Sequence, residues 1–161
     1  MDDWQQRIDA VWDAAAATSE EETVARIDAL VSERPADDPS ALFEAAGARD
    51  YAGREADAEP LYRAAIAGGL ADPQRAQAVI QLASTLRNLG RPGESVELLH
   101  AELTAHPEHE LADAARAFLA LALHDLGRHA AAVATAVGAL APHLPLYRRA
   151  VANYAHDLTT R

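Results

Sequence analysis

The sequence contains no cysteine and no lysine, and aromatic side chains occupy only 5% of its 161 positions. Without thiols it can form no disulfide, no thiolate metal site and no cysteine nucleophile, a composition suited to a reducing compartment. β-Branched and aromatic residues are too sparse to build a sheet, and no convincing strand is found. Long hydrophobic runs are missing too. The most apolar stretch, AAAVATAVGALAPHL at 130–144, is alanine-dominated and broken by Gly138 and Pro142, too weak to span a bilayer. No basic segment leads into an apolar core near the start, so a signal peptide is not expected. These absences predict a soluble, cytoplasmic chain with no membrane partner.

The formal charge is −11, unevenly placed: residues 1–60 hold 16 acids against 5 arginines, residues 61–161 hold 9 against 9. With no basic stripe to release counterions, nucleic acid is excluded as a partner class. The acidic first part reads either as a surface for a cationic partner or as a solvated face that keeps the chain in solution.

About a quarter of the residues are alanine, the strongest helix former, so the propensity sum favours an all-helical chain. A period runs through it. Gly-Arg pairs stand at Gly53-Arg54, Gly90-Arg91 and Gly127-Arg128, 37 residues apart both times. At that offset Ala46, Ala83 and Ala120 align, as do Ala58, Ser95 and Ala132, and Ala45, Leu82 and Leu119. In the middle unit Val79, Leu82, Ala83, Leu86 and Leu89 make one helical face and Val96, Leu99 and Leu103 another. Each unit is therefore a helical hairpin. Gly90 supplies the left-handed residue that closes the first helix and Pro92 starts the second. Gly68-Gly69 likewise ends a helix. Ser19-Glu20-Glu21-Glu22 reads as a capping box opening a helix through about Arg34. Trp4, Ile8 and Trp12 mark a helix before it, and Tyr147, Val151, Tyr154 and Leu158 a stripe on a closing one.

The middle unit carries Val79, Leu82-Ala83, Leu86, Ser95, Leu99 and Pro107 at the offsets of the tetratricopeptide repeat, which it resembles in kind. Unit three supplies Leu119-Ala120, Leu123, Ala132 and Ala136; unit one supplies Leu42, Ala46, Ala58 and Tyr62. Arg49 and Arg116 depart from the pattern, standing where that family prefers apolar residues. With segments such as FEAAGARDYAGREADAEPLYRAA and VIQLASTLRNLGR, the chain is similar to small bacterial proteins of this family over roughly residues 20–158. The expected fold is an all-α, alpha-alpha superhelix, a TPR-like solenoid of about nine antiparallel helices in one domain over 1–161. It comprises a leading pair (1–35), repeat hairpins at 39–69, 73–106 and 110–141, and a capping helix at 144–159.

The resemblance implies binding and assembly instead of chemistry, and the residues agree. Ser84 has no serine-elbow glycines, no glycine-rich loop follows a strand, and acid pairs such as Glu55 and Glu59 lie one helical turn apart on a wet face. His106-Pro107-Glu108-His109 offers no third ligand, while His124 and His129 straddle the Gly127 hinge. No catalytic residue, metal ligand or cofactor is assigned. In the family the first helix of each hairpin lines a concave groove, which implies a peptide-binding surface at Phe43, Asp50, Gln77, Ser84, Arg87, Asn88 and His124. On the middle helix Gln77, Gln81, Ser84, Arg87 and Asn88 form a polar strip beside the apolar face. Arg87 and Asn88 could hold a carboxylate or the backbone amides of an extended peptide; equally, Arg87 could pair with Asp50 or Asp125 within the array. The family's carboxylate-binding grooves use several lysines, which this chain does not have. The leading expectation is a non-enzymatic module for a peptide or protein partner. The alternatives are self-assembly through the terminal helices, giving a homo-oligomer, and an enzyme with an unrecognised site.

Overall fold

A computed structural model describes residues 3–160; the expected outer bounds at residues 1 and 161 lie outside them. Among the described residues there are nine α-helices and no strand. They are α1 (Asp3–Ala14), α2 (Glu20–Val31), α3 (Pro39–Tyr51), α4 (Glu55–Ala67), α5 (Gln74–Asn88), α6 (Pro92–Ala105), α7 (Ala112–Asp125), α8 (His129–Leu140) and α9 (Arg148–Thr160). Short 3-10 turns follow α1 and α8. Among the described residues no helix is long and apolar enough to cross a membrane. The chain divides into two compact units, one running up to Thr85 and the other from Leu86 onward, with the boundary inside α5.

The Gly-Arg hinges explain the period. Gly53, Gly90 and Gly127 have φ of 65°, 76° and 72°. Each accepts that left-handed conformation without a Cβ penalty, and each N–H returns to a carbonyl of the helix it closes: Gly53 to Asp50 at 3.0 Å, Gly90 to Arg87 at 3.0 Å, Gly127 to His124 at 2.8 Å. The arginine that follows makes the longer closure, Arg54 to Arg49 at 2.8 Å, Arg91 to Leu86 at 2.9 Å and Arg128 to Leu123 at 2.9 Å. Together these are the two bonds of a Schellman motif, three times over. The arginine side chains do not cap the next helix; Arg54 turns to Asp57 and Arg91 to Glu94 three residues on.

In the first unit α1 packs on α2, α2 on α3 and α3 on α4. Its core gathers Trp4, Ile8, Val11, Val24, Ile27, Ala41 and Ala48. Ser19 Oγ accepts the Glu22 N–H at 3.1 Å and Asp38 Oδ1 the Ala41 N–H at 2.8 Å, so α2 and α3 start on side-chain caps. Helix α2 stops at Val31, short of Arg34, whose guanidinium lies 4.0 Å from the centre of the Trp4 ring. Lying between α2 and α4, α3 buries Ala41, Ala45, Ala46 and Ala48 together with Phe43 and Glu44. Small side chains let neighbouring helices approach from both flanks, which is where the abundant alanine is spent. Arg49, the first departure from the repeat pattern, is half-buried and bonds Asp28 of α2 through both terminal nitrogens, so an ion pair fills the apolar position.

In the second unit α6 packs on α7, α7 on α8 and α8 on α9. Helix α7 repeats the logic of α3, burying Ala112, Ala115, Leu119, Ala120, Ala122 and Leu123. Arg116, the second departure, pairs with Asp113 one turn back. Helix α9 begins at Arg148 and turns Ala155 inward; Tyr147 lies outside it at φ 66°, and Tyr147 and Tyr154 are more than 70% exposed. The stripe read from the closing helix is thus turned mainly to solvent, because alanine is the residue small enough to seat α9 on α8.

Candidate functional site

Helix α5 carries five of the expected binding residues, and its burial divides it sharply. Ala76, Ala78, Val79, Ile80, Leu82, Ala83, Thr85 and Leu86 are all buried. Gln77 and Asn88 are exposed, and Gln81, Ser84 and Arg87 are partly so. The strip that helical spacing sets apart is therefore the accessible part of the helix, and its groups are amides, a hydroxyl and a guanidinium.

Within the first unit Phe43 is buried, whereas Asp50 is partly exposed. Phe43 is 8% exposed and tilts against Tyr62, ring centres 6.3 Å apart. Asp50 is tied into a partly buried network: Tyr62 donates its hydroxyl to Oδ2 at 3.4 Å, and the Thr85 hydroxyl lies 3.2 Å from Oδ1 and 2.9 Å from the Gln81 carbonyl. Burial pushes the Asp50 carboxyl above its ordinary range, against the lowering effect of the Thr85 hydrogen bond. Burial, reinforced by the Asp50 charge, also raises the Tyr62 phenol, so its hydroxyl stays a donor. The Gln81 side-chain oxygen is buried without a partner.

Within the second unit Arg87 Nε meets Asp125 Oδ2 at 2.5 Å, so of the two acids that the sequence offers this arginine the structure uses Asp125. His124, in the last turn of α7, faces His129, the first residue of α8, with their Nδ1 atoms 3.2 Å apart.

The sequence model of the family described as Tetratrico peptide repeat matches residues 39–158, three quarters of the chain. The chain belongs to the tetratricopeptide-repeat family. No curated protein matches it. Two solved structures share the fold of this tetratricopeptide-repeat chain. One is a Podosopora anserina protein named as a kinesin light chain with nearly identical TPR-like repeats, at TM-score 0.72 and 19% identity over 97% of this chain and 86% of that one. A point variant of that protein gives TM-score 0.69 and 15% identity, covering 99% of this chain and 97% of that one. At those identities the likeness establishes the fold alone. The tetratricopeptide repeat is characteristically a protein-interaction fold and generally not an enzymatic one.

One buried group escapes any sequence motif. Glu44, in the middle of α3, accepts the Trp12 indole N–H at 2.8 Å and lies 3.5 Å from the Gln5 amide. Burial raises its carboxyl above the usual carboxylate range, opposed by the Trp12 hydrogen bond. Trp12 and Glu44 are 32 residues apart, and nothing local announces the pair. The Trp12 ring also meets Tyr51 edge-on at 5.9 Å. Glu44 thus fastens α1 to α3. Among the described residues no group of three or more His, Cys, Asp or Glu side chains converges to hold a metal ion.

Proposed function

We propose that this tetratricopeptide-repeat chain is a non-enzymatic interaction module that takes an extended peptide or protein segment along the polar strip of α5. The observation that carries this reading is the burial pattern of that helix: apart from Thr85 and the Gln81 side-chain oxygen its enclosed side is apolar, and amide, hydroxyl and guanidinium groups stand on the accessible one. Side chains of Gln77, Gln81, Ser84 and Asn88 suit the alternating N–H and C=O groups of an extended backbone. A carboxylate-reading site is less well supported, because Asp125 already offsets the Arg87 charge and no lysine is present to add another. The test is affinity capture from native lysate with mass spectrometry. Wild-type protein is expected to return a recurring partner that Arg87→Ala/Asn88→Ala loses and Arg148→Ala/Arg149→Ala retains, all three giving the same circular dichroism. Retention by the first double variant moves binding off α5.

A second reading, self-association through α9, is favoured by one observation. Leu146, Tyr147, Tyr154 and Leu158 are all exposed on or beside that helix, large apolar side chains that a second copy could cover.

A further inference from the structure

The seven histidines all lie beyond residue 99, and the structure separates them by what they touch. His109 Nδ1 accepts the Leu111 N–H at 3.1 Å, the local bond of a turn. His143 Nε2 sits 2.8 Å from the Asp113 carboxylate, holding Asp113 below its ordinary range together with Arg116. His124 and His129 instead face one another: Nδ1 to Nδ1 is 3.2 Å, ring centres are 4.8 Å apart, and the planes meet at 50°.

The backbone fixes this approach. His124 belongs to the last turn of α7 and its carbonyl takes the Gly127 N–H at 2.8 Å; His129 is the first residue of α8. Between them Arg128 N–H returns to the Leu123 carbonyl at 2.9 Å. The two imidazoles are therefore carried by the ends of two packed helices joined by a closed hinge, and bringing them together costs little further chain entropy. The aligned hinges place Asp50 and Glu55, or Arg87 and Pro92, at these positions, so the pair is no product of the repeat.

Two imidazole nitrogens so placed can share one proton, one ring donating and the other accepting, or can hold one cation. In a tetrahedral zinc site, with metal–nitrogen bonds of about 2.0–2.1 Å, two nitrogen ligands of one ion stand about 3.3 Å apart. The 3.2 Å separation matches that span, so a metal ion can replace the shared proton once both rings turn their Nδ1 lone pairs toward it. Both side chains are exposed, which leaves an ion a direct approach from water. Imidazole is the donor that zinc, nickel and copper(II) prefer over magnesium and calcium. We propose that His124 and His129 form a two-imidazole chelate for a divalent transition-metal ion, clipping the end of α7 to the start of α8. No third His, Asp or Glu joins them among the described residues, so the remaining coordination positions belong to water and the ion exchanges freely.

The test is isothermal titration of untagged protein with ZnCl2 and, separately, NiCl2 at about pH 7.5, comparing wild type, His124→Ala, His129→Ala and the control His106→Ala/His109→Ala. One ion per chain is expected. Each single substitution should weaken binding at least about tenfold, since loss of an outer-sphere partner alone costs that much, and the control should bind as wild type. Nitrogen-15 spectra should show the Nδ1 resonances of His124 and His129 moving together on addition of zinc. Wild-type affinity in either single variant, loss of binding in the control, or no saturable binding by wild type overturns the assignment.

Discussion

At the scale of single residues, two glycines with opposite backbone signs separate conformational need from accident. Gly90 has φ 76° and open space where a Cβ would stand, so Gly90→Ala meets no clash and costs only the left-handed conformation, about 1 kcal/mol. Gly138 lies inside α8 with ordinary φ and equally open space, so Gly138→Ala should stabilise by about 0.5–1 kcal/mol through helix propensity. Urea denaturation of the two variants checks both signs. Glu44 makes a residue-scale prediction about pH. Its carboxyl is raised in the folded chain, so the folded state holds its proton more tightly than the unfolded one; stability from this group falls as pH rises through and above its ordinary value of 4.5. Glu44→Gln keeps an acceptor for the Trp12 indole and never ionises. Its stability relative to wild type should therefore grow from about pH 4 to about pH 7 in denaturant titrations. A gap that stays constant would mean the carboxylate bears no burial penalty.

At the scale of the helix, the hinge was readable because its chemistry is local. A Schellman closure needs a left-handed residue at one position, and only glycine adopts that without penalty, so three equally spaced Gly-Arg pairs disclosed three hairpins before any coordinates. Ser19 was readable for the same reason. Removing such a cap should cost about 1 kcal/mol, so Ser19→Ala should lower the urea midpoint, whereas Arg54→Ala should hardly move it, since the Arg54 pairing with Asp57 is exposed. What joins elements distant in sequence was not readable. Glu44 looks like any helical glutamate until Trp12 arrives from another helix, and the binding position read at Phe43 is occupied by contact with Tyr62. Arg87 had two acids on offer, and which of them it meets is a matter of side-chain geometry. Of the stripe read for the closing helix, Val151, Tyr154 and Leu158 lie on α9 and Tyr147 just outside it, and the spacing gave no sign that Ala155 would take the inward side.

For the molecule as a whole, charge and apolar surface are distributed unequally. The acidic surplus lies in the first sixty residues, while eight of the nine exposed large apolar side chains among the described residues lie in the second unit. If that surface pairs two copies, light scattering should show mass per particle rising with concentration, and Tyr154→Arg/Leu158→Glu should hold the particle at one chain. A wild type that stays at one chain throughout would leave the second reading without support. Neither outcome bears on the strip of α5, whose test depends on α5 variants alone.

Both indoles sit in the first unit, Trp4 bonded to the Leu30 carbonyl at 2.8 Å and Trp12 to Glu44. Fluorescence excited at the red edge of the ultraviolet band therefore watches only that half of the chain, while Tyr147 and Tyr154 in the other half are dark at such wavelengths. Far-ultraviolet ellipticity sees helices in both. Superimposed thermal traces from the two optical channels would mean that the halves melt as one cooperative body, and traces that part would resolve two melting events in a chain carrying no added label.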